Sequence, residues 1–172
     1  MKNTEGKKIN YLVLFLFIIY MALLVWIILF KLQFSISELD TIRSINLIPF
    51  YYDNEMNIAF HLNEVLENVA IFIPFGIYLS MLENTPDFKR KLVLISATSL
   101  ALEFAQYILA IGRSDITDLL TNISGGVIGI CFYWLGLKLF RSKKRTDFII
   151  TFVASIVTVL VLGVLFILLA AN

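Results

Sequence analysis

The sequence predicts an all-α membrane bundle: five transmembrane helices plus a short interfacial helix on the outer side, N-terminus inside and C-terminus outside. Three observations carry this. First, 59% of the 172 residues are hydrophobic and only 16% are charged, whereas a soluble domain is nearer half apolar and a quarter charged. The mean hydropathy is +0.87, which leaves too little polar surface to coat a water-soluble globule. Second, five stretches reach or approach the roughly 20 apolar residues that cross a bilayer. Third, the basic residues alternate across the loops between those stretches, as the positive-inside rule requires.

The five spans follow in order. Tyr11–Phe30 carries no charge. Its basic lead and apolar run begin as a signal peptide would, but it is too long and no small-residue cleavage site follows, so it reads as a retained anchor. Residues 65–82 are slightly short and are interrupted by Glu67, Asn68 and Pro74. Residues 92–111 contain Glu103 and Gln106. Residues 119–139 are rich in glycine. Residues 148–170 are almost pure Ile, Val, Leu and Phe and suit a peripheral, lipid-facing helix. Lys2, Lys7, Lys8, Lys89, Arg90, Lys91, Lys138, Arg141, Lys143, Lys144 and Arg145 fall on the cytoplasmic side of this scheme. Only Lys31, Arg43 and Arg113 fall outside. The whole chain, 1–172, reads as one membrane domain with its core over about 30–136.

Residues 33–63 form the one long outer segment. Ser35 and Glu38 fit a helix-starting capping box. Ile36, Leu39 and Ile42 recur at threes, as on a helix lying at the membrane surface. Pro49 disfavours helix at Ile48, so Asn46–Phe50 turns. Tyr51, Tyr52 and Phe60 suit the interfacial aromatic belt, and His61 there is a hydrated bystander.

Composition also excludes chemistry. A net charge of +1 gives no long-range field for nucleic acid. One cysteine, Cys131, excludes an intrachain disulfide framework and a cysteine zinc site. One histidine, His61, excludes a multi-histidine metal site. Cys131 reads as deep and inert.

The remaining polar groups gather at one end. Glu64 and Asn68 are four apart and share a helix face. Glu103 lies about 12 Å below the outer end of its span, with Gln106 one turn higher on the same face. The tight outer connector 112–118 supplies Arg113, Asp115 and Asp118, and Asn122 follows by four. The inner half of the spans holds almost no comparable groups. A carboxylate as deep as Glu103 either stays neutral or pairs with a cation, and charges inside spans usually face a cavity or a partner. Some of these groups could instead staple helices together, and Asp115 could cap the fourth span. Gly125 and Gly129 form a GxxxG pair, with Ser124 and Gly126 beside it, suited to close helix approach. Pro74 and Gly76 can kink the second span and free carbonyls that must be satisfied within the bundle.

Four blocks together carry a resemblance: Arg43-Ser-Ile-Asn-Leu-Ile-Pro-Phe50, Glu67-Asn-Val-Ala-Ile-Phe-Ile-Pro-Phe-Gly76, Glu103-Phe-Ala-Gln106, and Arg113-Ser-Asp-Ile-Thr-Asp118 with Asn122-Ile-Ser-Gly-Gly126. In this order and spacing the chain resembles the VanZ-like family from about residue 30 to 136. The resemblance implies a small bacterial plasma-membrane protein, in a family whose founding member is associated with resistance to teicoplanin, a lipoglycopeptide antibiotic. It implies a phenotype, not a reaction. The family motif maps onto Arg43, Asn46, Pro49, Phe50, Asn68, Pro74, Gly76, Glu103, Gln106, Arg113, Asp115, Asp118 and Asn122.

Three accounts of the site follow. As a binding protein, the chain would engage a lipid-linked wall precursor or the lipoglycopeptide itself. Arg43 and Arg113 would hold an anionic group, and Asn46, Asn68, Gln106 and Asn122 would give neutral hydrogen bonds. As an intramembrane enzyme it would use Glu103, Asp115 and Asp118 as general base and ligands for Mg²⁺. No nucleophile–histidine pair supports that, and outside this reading no cofactor or metal is expected. As a transporter it would need a through-path, and neither an internal repeat nor a polar inner half offers one. The binding account is preferred. Membrane lipids are the remaining expected partner, and no nucleic acid is.

Overall fold

The computed structural model describes residues 10–30, 43–50, 58–83 and 87–171, with the backbone alone at Arg43, 58–60, Arg113 and Ala171. The elements in chain order are α1 (Tyr11–Phe30), β1 (Arg43–Asn46), α2 (Ile58–Leu82), α3 (Phe88–Leu109), β2 (Gly112–Asp115), α4 (Ile116–Phe140) and α5 (Lys143–Ala171). All five helices are long and apolar enough to cross a membrane. The surface helix expected over 35–42, and the side chains of Tyr51, Tyr52 and Phe60, lie outside the described residues.

The second span is longer than its hydropathy suggests. It is helical from Ile58, and its membrane-length portion runs His61–Leu82. Glu64, Glu67 and Asn68 are helical residues, as the shared-face spacing of Glu64 and Asn68 predicts. Glu67 is exposed, while Glu64 and Asn68 are half-buried against the bundle. The helix also continues through Pro74. In the turn before the proline, the Ile71 carbonyl accepts a hydrogen bond from the Tyr20 hydroxyl of α1 at 2.8 Å. A side chain from a neighbouring helix thus bonds the α2 backbone in the turn before the proline.

The helix ends are defined by their caps. Asp87 precedes α3 and accepts from the Arg90 amide at 3.2 Å. Ala110 ends α3 in the left-handed region, and its amide donates to the Gln106 and Tyr107 carbonyls. Asp115 caps α4, accepting from the Thr117 amide at 2.8 Å.

The core is the α2–α4 pair. A β-carbon at Gly129 would stand 2.0 Å from the Ile73 carbonyl oxygen, and one at Gly125 would stand 2.2 Å from that of Val69. In the reverse direction, a β-carbon at Gly76 would stand 1.9 Å from the Gly126 carbonyl oxygen. The two backbones touch directly, which only glycine permits. α3 closes one side through the fully buried Ile95, which packs on Gly126. α1 closes another through Leu24, Leu16 and a ring cluster of Phe17 and Tyr20 against Phe75 and Tyr78. α5 is docked by its first turns, where buried Thr146 donates to the Gly136 carbonyl at 3.2 Å. Its membrane-length window is otherwise unburied.

The feature absent from the sequence reading is a parallel two-stranded sheet, β1 on β2. Arg43 pairs with Gly112, Ser44 with Arg113, Ile45 with Ser114 and Asn46 with Asp115. The turn expected over Asn46–Phe50 starts later, at Ile48–Phe50, because Asn46 belongs to β1; Phe50 stands at φ 54°. The sheet ties the segment ahead of α2 to the connector between α3 and α4. One end of the bundle is therefore the strand end. The other, carrying the tracts at 89–91 and 138–145, is the basic end.

Candidate functional site

At the strand end, main-chain hydrogen bonding brings together residues far apart in sequence. The sheet register sets Asn46 beside Asp115. The Asn46 amide Nδ2 donates to Asp115 Oδ2 at 3.0 Å, and its Oδ1 accepts from the Ile48 amide at 3.1 Å. Asp115 Oδ1 holds the first turn of α4 by accepting from the Thr117 amide. The Thr117 hydroxyl in turn accepts from the Phe50 amide at 3.0 Å. One aspartate thus links β1, β2 and α4, and the threonine two residues on fixes the turn after β1.

Glu103 sits beneath this junction. It is 6% exposed. Its Oε2 accepts from the Asp115 amide at 3.0 Å, and its backbone carbonyl accepts from the Ser114 hydroxyl at 2.7 Å. The carboxylate therefore has a main-chain donor as its partner. Its second oxygen makes no hydrogen bond among the described residues. On the α2 side, Asn68 Nδ2 donates to Asp118 Oδ1 at 2.8 Å. Asp118, Asp115 and Glu64 all lie within electrostatic reach of Glu103. Carboxylates from α2 and the β2–α4 junction thus lie near enough to Glu103 to act on it electrostatically. The α4 N-terminus favours negative charge there through its unpaired amides and dipole. Among the described residues, no three His, Cys, Asp or Glu side chains form a group that could hold a metal ion.

Two residues expected to face a ligand are engaged in the bundle instead. Gln106 Nε2 donates to the Ile28 carbonyl at 2.9 Å, one of the last-turn carbonyls of α1 that lack an intrahelical partner. Asn122 is 1% exposed and donates to the Ser99 hydroxyl at 3.0 Å, pinning α4 to α3. The staple reading thus describes the amide nitrogens of both. Their oxygens, Gln106 Oε1 and Asn122 Oδ1, are buried without partners among the described residues. The arginines Arg43 and Arg113 have their backbones in the sheet, one register step apart. Their side chains lie outside the described residues. Pro49 and Phe50 form the exposed turn that follows β1.

Sequence reasoning missed Ser44, Ser114, Thr117 and Ser99. Ser44, Ser114 and Thr117 are short hydroxyls beside residues singled out, and Ser99 lies one turn from Glu103; Ser114, Thr117 and Ser99 gain partners only in the packed bundle, while the Ser44 hydroxyl is buried with no partner among the described residues. The inner end is more polar than the expected near-absence of comparable groups suggests. Near the basic end Ser80, Lys91, Tyr133, Thr146 and Thr151 are buried. Tyr133 donates to Asp147 at 2.7 Å, and Lys143 pairs with Asp147 at 3.2 Å. Cys131, expected to be deep and inert, is exposed on α4.

The Asn46–Asp115 link is separable by a double-mutant cycle. Asn46→Ala and Asp115→Ala are each expected to lower thermal stability in detergent. The double variant is expected to be less destabilised than the sum by about 1 kcal/mol, since both remove one charge-assisted bond. Additive losses would show that the bond carries no coupling.

The VanZ/LLP1 family model matches residues 17–141, which contain every group of this cluster. Protein VanZ of Enterococcus faecium is 38% identical over 146 residues, covering 84% of this chain and 86% of that protein. No solved structure matches the chain. With the match spanning both strands and the first four helices, the chain is a membrane protein that belongs to the VanZ/LLP1 family.

Proposed function

We propose that the protein resides in a bacterial plasma membrane and confers resistance to teicoplanin-type lipoglycopeptides. In this reading it binds a lipid-linked envelope precursor, or the drug, at the strand end, on the outer face. The supporting observation is the convergence on one junction of Asn46, Asn68, Glu103, Asp115 and Asp118. The backbones of Arg43 and Arg113 lie in the same sheet. The charge asymmetry of the loops supports an outward-facing strand end under the positive-inside rule. A polar ligand with an apolar tail suits such a location: its polar part meets carboxylates, amides and arginines, and its tail remains in the outer leaflet. Arginine at such a site holds phosphate or carboxylate through paired N–H donors.

The test is drug susceptibility of a sensitive host expressing the chain. Arg113→Ala is expected to abolish protection, because losing one charge-assisted contact weakens anion binding by roughly tenfold or more. Glu103→Gln preserves the shape and the acceptor for the Asp115 amide, and Asp115→Asn preserves the shape and one of its two acceptors; both are expected to retain protection. Loss of protection in those two variants, with normal expression, would oppose simple binding. It would point to carboxylate chemistry on a lipid-linked precursor, to be sought as a changed product by mass spectrometry with and without chelator.

A further inference from the structure

The basic end of the bundle contains a cavity of about 660 Å³ between the last turn of α2, the first turn of α3, the second half of α4 and the start of α5. Three charged side chains line it, and two of them, Lys91 and Glu83, do not satisfy each other. Lys91 is 7% exposed, and its side chain makes no hydrogen bond or ion pair among the described residues. Glu83 is close enough to act on it electrostatically but does not reach ion-pair distance. The Glu83 carboxylate gives Oε1 to Arg90 Nε at 3.1 Å. Its Oε2 is buried with no donor. The third charged group on the wall, Lys143, is already held by Asp147 at 3.2 Å and donates to the Tyr133 hydroxyl at 2.9 Å.

The cavity thus presents one ammonium lacking an acceptor and one carboxylate oxygen lacking a donor. The rest of its wall is apolar and aromatic: Phe88, Ile130, Trp134 and Leu137. Phe88 and Trp134 are also exposed on the outside of the bundle, so the cavity borders the surface that faces lipid. A ligand that completes both charges carries an anion and a hydrogen-bond donor on one small group, next to an apolar chain. The geometry points to a glycerophospholipid headgroup site, with the phosphate on Lys91, a headgroup hydroxyl or ammonium on Glu83 Oε2, and an acyl chain along Trp134 and Phe88. This site is independent of the strand end and of its proposed ligand. A soluble phosphate ester offers the same anion and donor, and differs only in lacking the chain.

The test uses delipidated full-length protein in detergent, titrated with phosphatidylglycerol, which carries phosphate and hydroxyls, or phosphatidylcholine, which carries phosphate but no donor. Bound lipid is read by native mass spectrometry. Phosphatidylglycerol is expected to bind at least about tenfold more tightly than phosphatidylcholine, as a charge-assisted bond gained or lost implies. Lys91→Met is expected to remove phosphatidylglycerol binding, and Lys91→Arg to keep it. Glu83→Ala is expected to erase the preference between the two lipids. The unsubstituted chain gives a second readout, since Cys131 lines the same cavity and is its sole cysteine. Phosphatidylglycerol is expected to slow maleimide labelling of Cys131, and phosphatidylcholine to leave it fast. Equal binding and equal Cys131 protection by the two lipids would overturn the proposal, as would unchanged phosphatidylglycerol binding in Lys91→Met. Displacement of the lipid by glycerol 3-phosphate at equal concentration would assign the site to a soluble ester and overturn its lipid form.

Discussion

Gly129→Leu is expected to leave no folded protein in the membrane. The added side chain has to begin where the Ile73 carbonyl oxygen already stands, 2.0 Å from the position of the new β-carbon. Oversized residues in adaptable cores cost about 1–3 kcal/mol. That range assumes side chains that can rotate away. Here the obstacle is the backbone of α2, fixed by its own helical hydrogen bonds, so relief requires α2 and α4 to separate. Their separation would open the core around Phe72 and Gly125 as well. Expression with a fluorescent C-terminal fusion, followed by size-exclusion chromatography, is expected to show aggregate or no signal. Gly163→Ala is the control, because nothing lies within 4 Å of a β-carbon there. A monodisperse Gly129→Leu peak at the wild-type position would refute the backbone contact.

Glu103→Ala is the second large effect. It removes the acceptor of the Asp115 amide and opens a gap beneath the sheet. Leaving a buried donor unpaired costs about 1–3 kcal/mol. For a chain of this size that corresponds to a fall in melting temperature of roughly 2–12 °C. Because Asp115 also caps α4 and holds Asn46, the loss is expected to loosen β1 and the start of α4 together. That would appear as faster amide exchange at both. Glu103→Gln keeps an oxygen in the same place and is expected to recover most of the stability. If Glu103→Gln is as unstable as Glu103→Ala, the negative charge itself holds the junction, and the hydrogen bond is secondary.

The helices were legible because crossing a membrane demands long apolar runs, and α1 in particular stands out with no polar interruption. The second span reads short from sequence for the same reason: the polar residues around Glu64 obscure its start, although Glu64 and Asn68 already share a helix face by spacing. The glycine contacts were legible as a pattern on α4, since close approach needs small residues at four-residue spacing. Their partner was not, because spacing on one helix does not say which neighbour comes near. The strands could not be read. Each is four residues long, Arg43–Asn46 and Gly112–Asp115, and their pairing joins positions some 69 residues apart. No local alternation betrays such a sheet. The cluster at the strand end was legible as a set of unusual polar residues. The sorting within it, with Gln106 and Asn122 serving as staples through their amide nitrogens, depends on neighbours that only the packed bundle supplies.

The account rests on β1 and β2 meeting at the face of the bundle turned away from the cytosol. A single cross-linking measurement addresses both parts of that claim. In a Cys131→Ser background, Asn46→Cys and Asp115→Cys are introduced together, and intact cells are treated with an oxidant that does not cross the membrane. Adjacent residues in sheet register fall within the range of disulfide geometry. The account predicts an intramolecular disulfide, seen by peptide mass as the loss of two hydrogens, formed without permeabilising the cells. Two free thiols after oxidation, or a disulfide that forms only once the oxidant reaches the cytosol, would contradict it.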